Sequence, residues 1–96
     1  MAVLPPEKIN SKLDELEGWN YKEKQICKEY EFNNFKDALD FVNKIGEAAE
    51  MLNHHPDIFI HSWNKVQITI STHSEGDVTE KDFILAHRIE KLNNGR

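Results

Sequence analysis

Three segments of the chain place apolar residues three or four positions apart, which is the spacing of a helix that buries one face. A Pro-Pro pair can open the first segment, and Gly18 is predicted to end it. Thr79 is predicted to cap the third, and Asp82, three positions later, forms a capping box with Asp in place of Glu. The apolar positions of these two helices are Ile9, Leu13, Leu16, Phe83, Ala86 and Ile89.

The second helical segment carries the longest apolar stripe of the chain. Either Asn33 or Asn34 can cap its start. Pro56 is predicted to stop it, because proline disfavours helical geometry in the residue before it. The stripe consists of Ala38, Val42, Ile45, Ala49 and Leu52.

Four shorter segments, rich in β-branched and aromatic residues, are predicted to be strands. These are residues 19–21, 26–32, 58–60 and 65–72. The polar residues 22–25 are predicted to form a tight turn between the first two strands. One face of the last strand is apolar and contains Val66, Ile68 and Ile70. The opposite face contains Gln67, Thr69, Ser71 and, if the strand extends that far, His73.

The order of these elements is helix, two strands, helix, two strands, helix, which is an α+β pattern. We expect a four-stranded antiparallel sheet with the helices packed on one face. The chain has 96 residues and suits a single domain, residues 1–96, with a small core. Burial is limited at this size, so oligomerisation would add to stability.

The charge balance argues against nucleic acid as the main ligand, because 12 Lys and Arg stand against 17 Asp and Glu. No apolar run approaches the roughly 20 residues of a membrane-spanning helix. The first residues lack the basic and long apolar regions of a secretory signal. Cys27 is the only cysteine, so no internal disulfide can form. We therefore expect a cytoplasmic protein that contacts neither membrane nor nucleic acid directly.

Candidate chemistry is concentrated around a histidine pair, His54 and His55, which precedes Pro56 at the predicted exit of the second helix. Histidine can give and take protons near neutral pH because its ordinary pKa lies close to that range. Glu50 lies one helical turn before His54, so the two side chains can meet if the helix persists that far. A further histidine, His73, follows the last predicted strand.

A set of separated polar and aromatic positions runs through the second half of the chain and consists of Glu50, His54, His55, Pro56, Trp63, Thr72, His73 and Asp82. The spacing of these residues resembles that of the pterin-4a-carbinolamine dehydratase family. Further agreement comes from Trp19, Gly76, Thr79, Leu85 and Ala86, so the resemblance covers nearly the whole chain. It needs several separated positions in register, which makes it more specific than one short motif.

The resemblance implies a lyase that removes water from 4a-hydroxytetrahydropterin, the carbinolamine left after a pterin-dependent aromatic hydroxylation. The product is a quinonoid dihydropterin, and the reaction serves tetrahydrobiopterin recycling. One proton must reach the departing hydroxyl and another must leave the neighbouring ring nitrogen, which suits histidine as general acid and base. No oxidation or reduction occurs, so the resemblance implies no flavin, nicotinamide or metal.

The resemblance also assigns roles to individual residues. His54 and His73 are the proton-handling candidates, and His55 contacts or orients the pterin and can share the acid role. Trp63 offers an apolar wall with a polar N–H to the flat ring. The supporting or substrate-binding residues are Glu50, Asp57, Trp63, Thr72 and Asp82.

Structural explanations compete with these assignments. The histidine pair could simply stabilise the end of a helix, where positive charge is mildly favoured. Asp82 could serve only as a capping residue, and Trp63 could be part of the core. A zinc site built from His54, His55, His61 and His73 is disfavoured, because adjacent histidines seldom bind one ion and a helical His-x-x-x-His pair is absent. His61 and His87 fall outside the family pattern and are predicted to be structural or surface residues.

A protein-binding role is the alternative function. Mammalian members of the family also act as dimerisation cofactors of a homeodomain transcription factor, and the same scaffold can serve as an assembly factor for another enzyme. A fold can persist while its chemistry changes, but the histidine set is intact here and favours catalysis. The resemblance further implies a homodimer or homotetramer, formed by pairing sheet edges and packing helices.

Overall fold

The structure, a computed structural model, describes residues 2–95 and contains the predicted elements in the predicted order. The helices are α1 (Pro6–Leu13), α2 (Phe35–Leu52) and α3 (Glu80–Asn94). The strands are β1 (Asn20–Lys22), β2 (Gln25–Glu31), β3 (Asp57–His61) and β4 (Lys65–Ile70). A single 3₁₀ turn, His73–Glu75, lies between β4 and α3. The α+β prediction is therefore confirmed.

All neighbouring strands run antiparallel, in the spatial order β1-β2-β4-β3. The alternation of β4 decides which face is covered, since Val66, Ile68 and Ile70 are completely buried and the residues between them are half-buried. The register places Ile26 opposite Ile70 and continues this apolar face across the sheet. The inward face of the sheet packs in one core with apolar side chains from all three helices, which include Ile9, Ile45 and Phe83.

Aromatic residues complete the core where the sheet meets α2. The Phe41 ring lies 5.0 Å from the ring centroids of both Tyr30 and Phe32, within the range of favourable tilted contacts. Trp19, which follows the first helix, is also buried. No helix in the described part of the chain is long and apolar enough to cross a membrane.

Lys28 interrupts the apolar face of β2 between Ile26 and Tyr30. Its ammonium lies 3.0 Å from both carboxylate oxygens of Glu90 on α3, and it donates to the backbone oxygen of Glu17 at 2.8 Å. Its charge also faces the ring of Tyr30, with 4.7 Å between the ammonium and the ring centroid. A charge can thus remain at this position because it is paired and hydrogen-bonded.

The first helix ends earlier than predicted, at Leu13 rather than Gly18. Hydrogen bonds from Glu15 to Lys12 and from Leu16 to Leu13 tighten the chain into a turn that buries Leu16. Leu16, the apolar residue that suggested a longer helix, is therefore buried by a turn and not by a helix.

The second helix begins where it was predicted, because the Asn34 side chain accepts a hydrogen bond of 2.7 Å from the Asp37 amide. Its end differs from the prediction. Asn53 adopts the left-handed conformation, with φ of 51°, and the His54 amide bonds back to the Ala49 carbonyl at 3.1 Å. Asn53 thus stops the helix before Pro56 is reached, since a left-handed residue reverses the chain at a helix end.

The last strand is shorter than residues 65–72, because β4 ends at Ile70. Thr72 instead forms an isolated bridge with Asp77, and Gly76, with φ of 74°, closes the loop between them. His73 therefore does not lie on the open face of the sheet, as a longer strand would have placed it. The Tyr21 hydroxyl donates to Asp77 at 2.8 Å, and this hydrogen bond raises the pKa of Tyr21 above its usual value.

Candidate active site

The centre of the candidate site is a contact between His54 and Asp82. The chain segment after α2 carries His54, and the first turn of α3 carries Asp82. The Nε2 atom of His54 lies 2.6 Å from Oδ1 of Asp82. The Asp82 side chain is fully buried, and that of His54 is 11% exposed. A histidine held against a buried carboxylate, yet still reached by solvent, can exchange protons with a bound molecule.

Two threonines surround the other oxygen of Asp82. Thr72 Oγ1 lies 2.8 Å from Oδ2 of Asp82 and 2.8 Å from Oγ1 of Thr79. The amide of Thr79 also donates to Oδ2 of Asp82, at 2.7 Å. Asp82 therefore closes the predicted capping box of α3 and contacts His54 at the same time.

The Thr79 side chain is the member of this cluster that the sequence pattern did not assign to a site. Its only predicted role was to cap the third helix. The Thr79-x-x-Asp82 box was the signal that could have included it, because capping brings the two side chains to the same helix end.

His55 points away from this cluster and pairs with Glu50. Its Nε2 atom forms a short hydrogen bond with Oε2 of Glu50. The predicted meeting of Glu50 with His54 is wrong, because α2 ends at Leu52 and the reversal at Asn53 sends successive side chains in different directions. His55 is far more accessible than His54, with 56% of its side chain exposed.

His73 and Asp57 border the cluster without a side-chain hydrogen bond to it. His73 is exposed and directly follows Thr72, whose hydroxyl contacts Asp82. Asp57 begins β3 and lies opposite Thr69 of β4. Asp57 therefore lies two residues after His55 along the chain, His73 lies one residue after Thr72, and both are exposed.

Trp63 lies at the other end of the hairpin formed by β3 and β4. It has φ of 56° in the turn between the strands, and 61% of its surface is exposed, so it is not a core residue. The strand from Asp57 to His61 spans about 14 Å at the usual rise per residue. One chain therefore does not bring Trp63 beside His54.

The remaining histidines have other surroundings. His61 lies 2.5 Å from Glu29 and stacks on the exposed Phe59 ring, on the open face of the sheet. His87 is exposed on α3. Within residues 2–95, no group of three or more His, Cys, Asp or Glu side chains is arranged to hold a metal ion.

Comparison with known proteins identifies the same family as the sequence pattern. The family model described as pterin 4 alpha carbinolamine dehydratase matches residues 2–92. A relative from Sulfolobus acidocaldarius is 44% identical over 89 residues, covering 93% of this chain and 97% of the relative. A relative from Herpetosiphon aurantiacus is 45% identical over 92 residues, covering 96% and 95%. Both relatives carry the name "Putative pterin-4-alpha-carbinolamine dehydratase".

Two solved structures share the fold. A transcriptional coactivator/pterin dehydratase from Brucella melitensis superposes with a TM-score of 0.89 at 33% identity, covering 94% of this chain and 97% of the other. A pterin dehydratase-like protein, identified as a RuBisCO assembly factor in the alpha-carboxysome, gives a TM-score of 0.62 at 20% identity. It covers 77% of this chain and 84% of the other, and it agrees in fold alone.

Proposed function

This chain belongs to the pterin 4 alpha carbinolamine dehydratase family, and from that premise we propose that it dehydrates 4a-hydroxytetrahydropterin to quinonoid dihydropterin. The observation that carries the proposal is the buried pair of His54 and Asp82, which lies inside the matched region. A family could keep its fold and lose its chemistry, but here the titratable pair and its hydrogen bonds are present. The proposed role is pterin recycling, and the unpaired Cys27 is compatible with the cytoplasm.

The proposed reaction needs two proton transfers and no electron acceptor. A proton is added to the 4a-hydroxyl, the C4a–O bond breaks, and water leaves with the bonding pair. The neighbouring ring nitrogen loses its proton, and the N–H electrons form the new carbon–nitrogen double bond. Positioned histidines contribute to each transfer by roughly 10²- to 10⁴-fold in rate.

In this proposal, His54 and His73 handle the protons. His55 orients the pterin and shares the acid role, and its contact with Glu50 holds the accessible ring in place. Thr72 and Asp82 support His54 from the opposite side. The exposed carboxylate of Asp57, at the start of β3, is proposed to contact the polar edge of the pterin.

The position of Trp63 is best explained if the working form contains a second copy of the chain. The strand β3 is at an edge of the sheet, so its outer backbone groups can pair with another strand. In an antiparallel pairing of two β3 strands, the end of one lies beside the start of the other. Trp63 of the second copy would then approach Asp57 and His55 of the first, and could form the apolar wall of the pocket.

A protein-binding role is the second candidate, favoured by one specific observation. The exposed face of α2 carries two large apolar side chains one turn apart, Phe35 and Leu39, and Met51 is exposed near the end of the helix. The Brucella melitensis protein is described as a coactivator as well as a dehydratase. The same α2 surface could instead pack against further copies of this chain in a tetramer.

The dehydratase assignment is tested by following the ultraviolet absorbance of the carbinolamine as it decays. Purified protein should accelerate the decay, and the double variant His54→Ala with His73→Ala should lose nearly all of that acceleration. His87→Ala is the matched control, because His87 is exposed on α3 and lies outside the candidate site. Full activity in the double variant, or no acceleration by the unmodified protein, would reject the assignment.

A further inference from the structure

The hydrogen bonds around Asp82 have only one arrangement of protons that satisfies all of them. Each threonine hydroxyl has a single proton to donate. The ionised carboxylate of Asp82 can only accept, so the Thr72 hydroxyl must donate to Oδ2. Thr72 then has no proton left for Thr79, and the Thr79 hydroxyl must donate to Thr72. Thr79 in turn accepts from the Lys81 amide at 3.3 Å.

The result is a one-way chain of donors that begins at the backbone of α3 and ends on Asp82. It runs from the Lys81 amide through the hydroxyls of Thr79 and Thr72 to Oδ2 of Asp82. The Thr79 amide adds a second donor to the same oxygen. Because Oδ2 is occupied in this way, the carboxylate cannot rotate without breaking bonds in a buried place, which is costly.

The other oxygen of Asp82 then determines which nitrogen of His54 carries a proton. A carboxylate oxygen has no proton to donate, so the hydrogen bond between Oδ1 and the ring must use a proton carried by the ring. Nε2 of His54 is therefore the donor in its 2.6 Å contact with Oδ1. In residues 2–95, no hydrogen bond reaches the second ring nitrogen, Nδ1.

We propose that His54 exchanges protons with the substrate through Nδ1 alone, and that Thr72 and Thr79 are positioning residues that hold this orientation. This inference rests on the proposed dehydratase function. Asp82 accepts from Nε2 whether the ring is neutral or charged, so only Nδ1 gains or loses a proton during turnover. When His54 acts as an acid, the Nδ1–H bond breaks, and the proton goes to the leaving 4a-hydroxyl.

Nuclear magnetic resonance of the ¹⁵N-labelled protein tests the ring assignment without substrate. Spectra are recorded over a pH series and read at its alkaline end, where a further rise in pH no longer changes the ring signals. His54 should give a protonated Nε2 and a bare Nδ1 in a single form, and the signal is identified by its loss in His54→Gln. A proton on Nδ1, or a mixture of the two forms, would overturn the proposal.

The threonine chain is tested with Thr72→Val, which removes the donated proton but keeps the shape of the side chain. The variant should show a mixture of the two ring forms, and kcat should fall roughly tenfold, the effect of losing one hydrogen bond to a charged group. KM should change less than about twofold, because a positioning residue acts on proton transfer more than on binding. Thr72→Ser should restore a single ring form and most of kcat.

Two further variants keep this test decisive. Thr69→Val makes the same substitution on β4, where the side chain has no hydrogen bond among the described residues, and should leave the ring form and kcat unchanged. Thr79→Ser keeps both the cap and the donated proton, so the His54 ring should stay in a single form. If Thr72→Val folds and retains a single ring form with full kcat, the threonines have no positioning role.

Different results would reject the dehydratase function and the assignment of the His54 ring nitrogens. A protein with the expected His54 ring form but no acceleration of carbinolamine decay would reject the dehydratase function. A protein with full dehydratase activity but a proton on Nδ1 would reject the ring assignment alone.

Discussion

At the scale of single residues, Asp82 has two tasks that cannot be separated. Its carboxylate caps α3 and contacts Nε2 of His54. A fully buried carboxylate is tolerated only when hydrogen bonds replace its lost contacts with water. Thr72, Thr79 and His54 provide those bonds, so the same contacts that stabilise the helix also orient the histidine.

We predict that Asp82→Asn weakens both tasks. An amide cannot accept from all three neighbouring groups, because one of its two polar atoms is a donor. We expect a loss of about 1–3 kcal/mol in the free energy of unfolding and a fall in kcat/KM of at least about tenfold. Urea denaturation and the carbinolamine assay measure the two effects.

Asp40→Asn is the matched control for that substitution. Asp40 is exposed on α2, and within residues 2–95 its ion pair is with Lys36, one turn earlier, so the change should alter stability by less than about 0.5 kcal/mol. Equal losses of unfolding free energy in the two variants would mean that the buried hydrogen bonds of Asp82 stabilise the fold no more than an exposed ion pair does.

At the scale of secondary-structure elements, the end of α2 decides where the two histidines point. If the helix continued, Glu50 and His54 would lie on one face, one turn apart. Asn53 adopts φ of 51° instead, and the His54 amide closes the helix end on Ala49. The buried ring then reaches Asp82, while the next ring turns back to Glu50.

Substitution of Asn53 tests this left-handed stop. A β-branched residue is strained in that conformation, so Asn53→Val should lower the free energy of unfolding by about 1–2 kcal/mol. Asn53→Gly should keep or slightly raise stability, because glycine adopts the conformation without strain. Chemical denaturation of both variants measures the difference, and equal stability of the two would contradict the assignment.

Lys28 is a charged residue on the inward face of β2, where the neighbouring inward residues are apolar. A charge on the inward face of β2 argues against a strand when it is considered alone. The carboxylate of Glu90 comes from α3, 62 positions away, and pairs with the charge from across the core. The β-branched and aromatic residues of the segment predicted the strand, and only packing explains its inward lysine.

At the scale of the whole molecule, the helices cover one face of the sheet and leave the other open. The open side and its β3 edge carry Phe59 and Trp63, both of which are more than half exposed. Large exposed apolar side chains on an unpaired edge strand favour association with another strand.

We predict that the protein in solution has a mass at least twice that of the 11.2 kDa chain. Phe59→Glu should shift light-scattering mass toward the monomer, because a charge would be placed at the paired edge. Glu23→Lys, in the turn between β1 and β2 on the far side of the sheet, should leave the mass unchanged. A monomeric unmodified protein would contradict the prediction and leave Trp63 outside the pocket.

Much of the fold was predictable from the sequence because its signals are local. The stripe of α2, the Asn34 cap and the capping box of Thr79 and Asp82 each involve residues within a few positions of one another. Helix ends were predicted less well, since Asn53 and the turn after Leu13 depend on conformations that many sequences can adopt.

Periodicity and spacing along the chain were enough to predict the order of the elements, the apolar face of the sheet and the family resemblance. The pairing of His54 with Asp82, 28 positions away, and of Glu50 with His55 became visible only in the folded chain. The fold also separates Trp63 from the histidines by the length of a strand. These contacts depend on how α3 packs against the sheet and on one left-handed residue, and neither has a periodic signature in the sequence.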